Sequence, residues 1–252
     1  MHDVTKLSDI HVGLIVKIKT DNEIFEGRIF EIISTSDNRD GIRVALDNGK
    51  YGNVIEVLRS PEIIKERIFE TESHYSDNKE SFYEPVMRYH SIPRAIQSFA
   101  NAEGGFLYIG VKDDSPPEEK IIGLDEDRQI AVHNNGELSE GKFQDVLRGD
   151  IEDVLEKYLK CTKSVVSLLD FNFPEIDEKI ILEITIKRST EPIFFKYLSR
   201  NKKERVFPIE IFEGKKTNRK LDYFCYRAGS RKHETETIEE FYAYYNEHFK
   251  KI

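Results

Sequence analysis

The first sixty residues alternate between apolar and polar positions in short runs. The runs are Val12–Lys19, Ile24–Ile33, Ile42–Leu46 and Tyr51–Leu58. Alternation with a period of two predicts β-strands, and Asp47-Asn48-Gly49 predicts a tight hairpin turn because Asn and Gly accept positive φ. Several short strands in so short a stretch predict a small β-barrel. Ser60-Pro61 predicts its end, since proline disfavours continuing either kind of element.

After residue 60 helix and strand patterns mix. Predicted strands are Phe106–Lys112, Val165–Phe173, Ile180–Lys187 and Tyr223–Arg227. Predicted helices are Ser91–Ala100, with Ser91 as its cap, and Phe143–Leu159, whose apolar residues recur every three to four positions. A capping box at Thr237-Ile-Glu-Glu240 opens a final helix. We therefore expect an α+β protein with a barrel in residues 1–60 and an α/β domain with a mixed sheet in residues 61–252.

Charge is distributed unevenly along the 252 residues. The chain has 38 Lys+Arg against 47 Asp+Glu, a formal net charge of −9, which excludes a uniformly basic nucleic-acid binder. Residues 61–186 hold 14 basic and 27 acidic side chains, net −13, whereas residues 187–232 hold 14 basic and 5 acidic ones, net +9. A strongly basic stretch inside an acidic protein points to a charged partner.

Other features narrow the function classes. Cys161 and Cys225 lie far apart and predict neither a zinc site nor a disulfide scaffold, so we expect a reduced, cytoplasmic protein. No signal peptide or apolar run long enough for a membrane span is present in this sequence, and we expect no membrane partner. No P-loop motif or Ser-His-Asp order stands out, which disfavours an NTPase and a serine hydrolase.

The block from Ala95 to Asp114 contains a helix, an Asn-x-x-Gly-Gly turn, a strand and then acidic residues. Its order of residues resembles the Schlafen AlbA-like domain, with the signature AFaNt-x-GG-x-l-x-iGV-x-D. Further matches are Ile122-Gly123-Leu124, Pro192 and Tyr226-Arg227-Ala-Gly229-Ser230. Upstream, Glu72-Ser73-His-Tyr-Ser-Asp77-Asn78-Lys79 occupies the place of a Glu-Ser-x-x-x-Glu-Phe-Lys motif, with Asp77 for the second Glu and Asn78 for Phe. The resemblance implies an Alba-like fold from about residue 68 onward.

The resemblance also implies a set of acidic site residues. In ribonucleases of the family three acidic residues form the active centre, and the matching positions here are Glu72, Asp77 and Asp113. Clustered carboxylates repel one another unless a cation lies between them, and oxygen ligands suit Mg²⁺ or Mn²⁺. Such a metal can activate water for attack on a phosphodiester. The alternative is that these three are ordinary solvated acids.

Basic residues supply the expected contacts to phosphate. Besides Lys79, the candidates are Lys196, Arg200, Lys202, Lys203, Arg205, Lys215, Lys216, Arg219, Lys220, Arg227 and Arg231. Aromatic residues interleaved with them are expected to pack in the core rather than to stack on bases. The best interpretation is a nucleic-acid-binding protein with RNA favoured over DNA, and the finer hypothesis is a metal-dependent endoribonuclease acting on structured RNA such as tRNA or rRNA.

Alternatives remain at this point. One is a non-catalytic DNA-binding transcriptional regulator, and another is a scaffold protein recruited through the barrel. The Schlafen ribonuclease core has two AlbA-like lobes and this chain has room for one, so a homodimer could rebuild a two-lobed groove.

The first sixty residues resemble the small YwbE-like domain, whose barrel is of the KOW or SH3-like type. The matching segments are Val12-Gly13-Leu-Ile-Val-Lys-Ile18 and Gly41-Ile-Arg-Val-Ala-Leu-Asp-Asn-Gly49.

Overall fold

The computed structural model describes most of the chain, and all structural statements refer to that part. The described residues are 6–7, 10–21, 23–69, 75–161, 164–195, 197–198, 204–205, 224–228, 231–235 and 237–250, without the side chains of 197–198, 204–205 and 238. Helices and strands are numbered in chain order.

The N-terminal part is a closed antiparallel barrel. Its strands are β1 (Ile15–Lys19), β2 (Ile24–Ile32), β3 (Arg43–Leu46) and β4 (Tyr51–Val57), and β4 pairs with β1 to close it. Alternate positions such as Val16 and Ile18 have no exposed surface, which is the pattern that the sequence predicted. Gly49 has a φ of 78°, so the predicted hairpin turn is confirmed.

The remainder is a mixed α/β unit, as expected. Its helices are α1 (Pro61–Phe69), α2 (Ile92–Ala100), α3 (Pro117–Lys120), α4 (Asp125–Asn135), α5 (Glu140–Tyr158) and α6 (Ile238–His248). Its strands are β5 (Ser76–Lys79), β6 (Gly105–Ile109), β7 (Leu159–Lys160), β8 (Leu169–Asn172), β9 (Glu175–Ile176), β10 (Lys179–Ile180), β11 (Leu182–Ile186), β12 (Phe194–Phe195), β13 (Tyr197–Leu198), β14 (Glu204–Arg205), β15 (Cys225–Ala228) and β16 (Arg231–Glu234).

The central sheet has the strand order β5-β6-β11-β8. β5 runs parallel to β6, and the other two pairings are antiparallel, so the sheet is mixed and β5 is an edge strand. On one face Leu107 and Ile109 pack in a core with α2 and α5. On the other face Phe106 and Tyr108 belong to a second core that also contains barrel residues such as Val16. The barrel and the sheet therefore share one continuous apolar cluster, with α1 between them.

A buried ion pair lies between α1 and the sheet. Arg67 Nη1 is 3.4 Å from Glu183 Oε2 and also donates to the Tyr108 hydroxyl at 3.2 Å. The side chains of Arg67 and Glu183 are 2% and 1% exposed. The Arg67 guanidinium lies 4.0 Å above the ring centre of Phe106, which gives the buried charge an aromatic partner as well. This pair fixes α1 against the sheet.

The Asn-x-x-Gly-Gly turn connects α2 to β6 and holds two later segments. Asn101 accepts from the Ile193 N–H at 2.8 Å and donates to the carbonyls of Ile193 and Cys225, both at 2.9 Å. Gly104 has a φ of 82°, and a Cβ there would lie 2.5 Å from the Ile186 carbonyl oxygen. Glycine is therefore required at this position by conformation and by space.

Several local expectations were wrong. Ser91 makes no capping hydrogen bond, because its backbone is helical and it ends a π-helical turn, Met87–Ser91, that leads directly into α2. Residues Val165–Leu168 form a 3-10 turn before β8 instead of a strand. The predicted capping box is confirmed: Thr237 accepts from the Glu240 N–H, and the Glu240 side chain accepts from the Thr237 N–H.

Within the described residues, no helix is long and apolar enough to cross a membrane.

Candidate nucleic-acid interface

Asp77 lies on the edge strand β5, with its carboxylate between two cations. It is opposite Leu107 in the β5–β6 register and therefore projects on the α2 face of the sheet. Its Oδ1 accepts from Lys79 Nζ at 2.5 Å, and its Oδ2 is 3.5 Å from Arg227 Nη1. Asp77 is only 6% exposed. A carboxylate so far removed from water needs such partners, because a buried charge without a partner is costly.

The β15–β16 hairpin brings the second cation to this edge. Arg227 also donates to the Ser76 carbonyl at 3.1 Å, and its guanidinium lies 4.4 Å above the ring centre of Phe99 on α2. Lys232 pairs with Arg227 across the hairpin register. The hydrogen bond to Ser76 and the contact with the Phe99 ring thus position the hairpin against β5 and α2, and the strand pairing places Lys232 beside Arg227.

Arg94 on α2 completes the arrangement. Its side chain is 4% exposed and forms an ion pair with Glu234 of β16. We call the six residues of this region the Asp77 cluster: Asp77, Lys79, Arg94, Arg227, Lys232 and Glu234. Four cations face two carboxylates, so the cluster holds an excess of two positive charges. A local excess of cations inside an acidic protein attracts anions such as phosphate groups.

Burial is the main cause of two pKa shifts in this region. The pKa of the Lys232 ammonium is lowered by loss of water, while attraction to Asp77 opposes the change and repulsion from Arg94 and Lys79 adds to it. The pKa of His90 is lowered by burial and by the nearby charges of Arg94 and Lys232. His90 therefore lies beside the Asp77 cluster.

The thiol of Cys225 on β15 is fully buried. Burial raises its pKa to about 11, so it is not a reactive thiol.

The three acidic residues predicted to bind a metal do not form one described group. Glu72 lies outside the described residues, Asp77 is held by Lys79 and Arg227, and Asp113 is half-buried in the loop after β6. Among the described residues, no group of three His, Cys, Asp or Glu side chains could hold a metal ion. With both oxygens of Asp77 next to cationic nitrogens, the described donor set does not fit Mg²⁺ or Mn²⁺ in this arrangement.

Only some of the predicted basic residues lie in the part of the chain that the structure describes. Lys79 and Arg227 belong to the Asp77 cluster, and Arg231 is exposed on β16. Arg205 is described for its backbone only, in β14. The others lie outside the described residues: Lys196, Arg200, Lys202, Lys203, Lys215, Lys216, Arg219 and Lys220.

Sequence reasoning missed Arg94 and Glu234, whereas Lys232 belongs to the basic stretch that the sequence singled out. For Arg94 a signal existed, because it is the one charged residue of α2, Ile92–Ala100, which is mostly apolar. A charge at such a position must find a buried partner. The described aromatic residues of the basic stretch do pack internally: Phe194, Phe224 and Tyr226 join α6 in a third core cluster.

Comparison with known proteins identifies the family. The sequence model of the family described as Schlafen, AlbA_2 matches residues 72–236, more than half of the chain. The chain therefore belongs to the Schlafen AlbA_2 family, as its central block indicated. The match includes β5, α2, β6 and the β15–β16 hairpin, and so every residue of the Asp77 cluster. No match was found among curated proteins.

A solved structure is similar over part of its length. The crystal structure of the DIP2311 protein from Corynebacterium diphtheriae has 14% sequence identity to this chain and a TM-score of 0.37. The similarity covers 76% of this chain and 29% of that one. The chain thus spans less than a third of that protein, and a similarity at this level carries no argument about function.

Proposed function

We propose that this protein binds nucleic acid, RNA in preference to DNA, with the Asp77 cluster as the anchor for the phosphate backbone. The observation that carries the proposal is the excess of cations at the edge of the central sheet, where Lys79, Arg94, Arg227 and Lys232 outnumber two carboxylates. Membership of the Schlafen AlbA_2 family supports the same class of ligand.

The placement of the hairpin supports this anchor. Arg231 and Lys232 are exposed on β16, whereas Arg227 on the paired strand is held inward by Asp77 and Phe99. Arg227 fixes the hairpin, and Arg231 faces solvent, where phosphate can reach it. Lys232 also has exposed surface, but its ammonium interacts with Asp77, Arg94 and Lys79 and is partly withdrawn from water. β15 and the first two residues of β16 belong to the basic stretch of residues 187–232, which carries a net charge of +9 in the sequence.

Binding without metal-dependent cleavage is the activity that the described residues favour. For Asp77 to serve as a metal ligand, the cation would have to replace Lys79 or Arg227 at its oxygens. The finer hypothesis of an endoribonuclease acting on tRNA or rRNA therefore requires a rearrangement around Asp77. The contacts in this arrangement give Asp77 a positioning role, in which it orients two cations.

The deciding experiment mixes the full-length protein with labelled tRNA, and with DNA of the same sequence, with and without Mn²⁺. We expect salt-sensitive binding to tRNA that Lys232→Glu combined with Arg231→Glu weakens. The matched control is Lys142→Glu, an exposed lysine on α5. Unchanged binding by the double variant overturns the proposed surface. Cleavage in Mn²⁺ that is lost in Asp113→Asn would establish the nuclease instead.

A further inference from the structure

Tyr89 is an exposed aromatic residue in an unusual backbone segment. It lies in the π-helical turn Met87–Ser91, and 42% of its surface is exposed. A π-turn inserts an additional residue into a helix, and such turns occur frequently at functional sites. The turn leads directly into α2, which carries Arg94 of the Asp77 cluster.

Tyr89 is the outer end of a row of rings. Its ring centre is 5.8 Å from that of Tyr158, which lies 6.0 Å from that of Phe195 in a stacked orientation. His90 meets Phe195 edge-on at 6.0 Å. Phe195 is 3% exposed, so the middle of the row is anchored in the core. We call Tyr89, Tyr158, Phe195 and His90 the aromatic row.

Cations lie next to the aromatic row. The Arg88 guanidinium, which is also 3.7 Å from the Asp150 carboxylate, is 5.5 Å from the ring centre of Tyr89, and Lys157 Nζ is 5.5 Å from that of Tyr158. Lys160 follows on β7, which pairs with the strand that contains Phe195. At the other end of the row, the Arg94 guanidinium lies 5.8 Å from the ring centre of Phe195. The row therefore continues into the Asp77 cluster.

We propose that Tyr89 stacks on an unpaired base, so that the preferred ligand is single-stranded RNA or an unpaired segment of a folded RNA. This inference rests on the proposed function and adds its substrate class. Exposed aromatic rings beside a cationic track are the arrangement by which proteins hold single strands: the ring takes the base and the cations take the phosphates. A base in a duplex is already stacked on its neighbours and cannot offer its face to Tyr89.

The test measures fluorescence anisotropy with two labelled probes, a short oligoadenylate and a blunt RNA duplex of equal length. We expect Tyr89→Ala to weaken oligoadenylate binding about tenfold, the effect of losing one stacked base. Duplex binding should stay at the wild-type level. Tyr89→Phe and Tyr89→Trp should retain oligoadenylate binding, since both keep a ring. Tyr51→Ala removes an exposed tyrosine from the barrel and is the matched control.

The outcomes separate this inference from the proposed function. Oligoadenylate binding by Tyr89→Ala at wild-type strength overturns the inference, and so does an equal loss for both probes or an equal loss in Tyr51→Ala. A wild-type protein that binds tRNA but not oligoadenylate also overturns the inference, whereas failure to bind tRNA as well overturns the proposed function itself. If Tyr89→Ala does not fold, Tyr89→Leu replaces it. Weaker oligoadenylate binding by Tyr89→Leu, with unchanged duplex binding and wild-type affinity in Tyr89→Phe, supports the inference, and unchanged oligoadenylate binding by Tyr89→Leu overturns it.

Discussion

The guanidinium of Arg227 on β15 lies 3.5 Å from the carboxylate of Asp77 on β5, although 150 residues separate them in the chain. Both side chains are nearly removed from solvent, at 4% and 7% exposed. This contact is one of several that join the basic hairpin to the edge of the central sheet, together with the Arg94–Glu234 ion pair and the hydrogen bond from Asn101 to the Cys225 carbonyl. It is the one that places a hairpin cation directly on β5.

Removal of that link should cost stability. Arg227→Met leaves Asp77 with Lys79 alone, and we expect the free energy of unfolding to fall by about 3 kcal/mol, as when one partner of a buried ion pair is lost. Urea denaturation measures the change. Arg231→Met, an exposed arginine of the same hairpin, should shift stability by less than about 0.5 kcal/mol. Equal losses in the two variants would contradict a specific role for Arg227.

Asn101 should contribute both to stability and to RNA binding. Asn101→Ala removes three buried hydrogen bonds to Ile193 and Cys225, and the abandoned backbone groups cost about 1–3 kcal/mol each when unsatisfied. Because Cys225 begins β15, we expect the hairpin to loosen and RNA affinity to fall as well. Thermal unfolding and anisotropy measure the two effects. A stable variant with wild-type affinity would show that the hairpin does not need this anchor.

Acid should destabilise the protein through His11. Both ring nitrogens of His11 are buried without a hydrogen-bond partner among the described residues, and burial, with a smaller effect of Arg67, lowers its pKa to about 3. The unfolded chain binds this proton near pH 6.5, so stability falls as pH drops from about 6.5 towards 3, by at most about 1.4 kcal/mol per pH unit.

His11→Met should flatten that loss, because methionine does not titrate. Urea midpoints between pH 7 and pH 4.5 (about the range in which the histidine term acts) compare the variant with the wild type. His133→Met, at an exposed position on α4, is the control and should follow the wild-type curve. If His11→Met and the wild type lose stability in parallel, the buried imidazole is not the cause.

Salt should weaken RNA binding in proportion to the number of cations that contact phosphate. For a single-stranded ligand each lost contact reduces the slope of log affinity against log salt by about 0.7. We expect that reduction for Arg231→Ala and for Lys232→Ala, and no change for Lys142→Ala. Titrations at four or so salt concentrations (enough to define a line) give the slopes. Unchanged slopes in both hairpin variants would place the phosphate contacts elsewhere.

Much of the fold was predictable where the pattern is local. Alternation of apolar and polar positions predicted the four barrel strands, and apolar residues spaced three to four positions apart predicted α5. α4 was not predicted, because Asp125–Asn135 contains few apolar residues and only a narrow buried stripe. The residues Asp77, Lys79 and Arg227 came from motif resemblance. Their contact with Arg94 and Lys232 could not be predicted, since it depends on tertiary packing of segments far apart in the chain.

The single apolar cluster shared by the barrel and the central sheet makes the two parts thermodynamically linked. Phe106 and Tyr108 of β6 pack with barrel residues such as Ile18, while the neighbouring strand β5 carries Asp77. A ligand that binds the folded state stabilises every segment that unfolds together with its site. RNA held at the edge of the sheet should therefore slow hydrogen exchange of backbone amides inside the barrel, which mass spectrometry of the RNA-bound and free protein would detect.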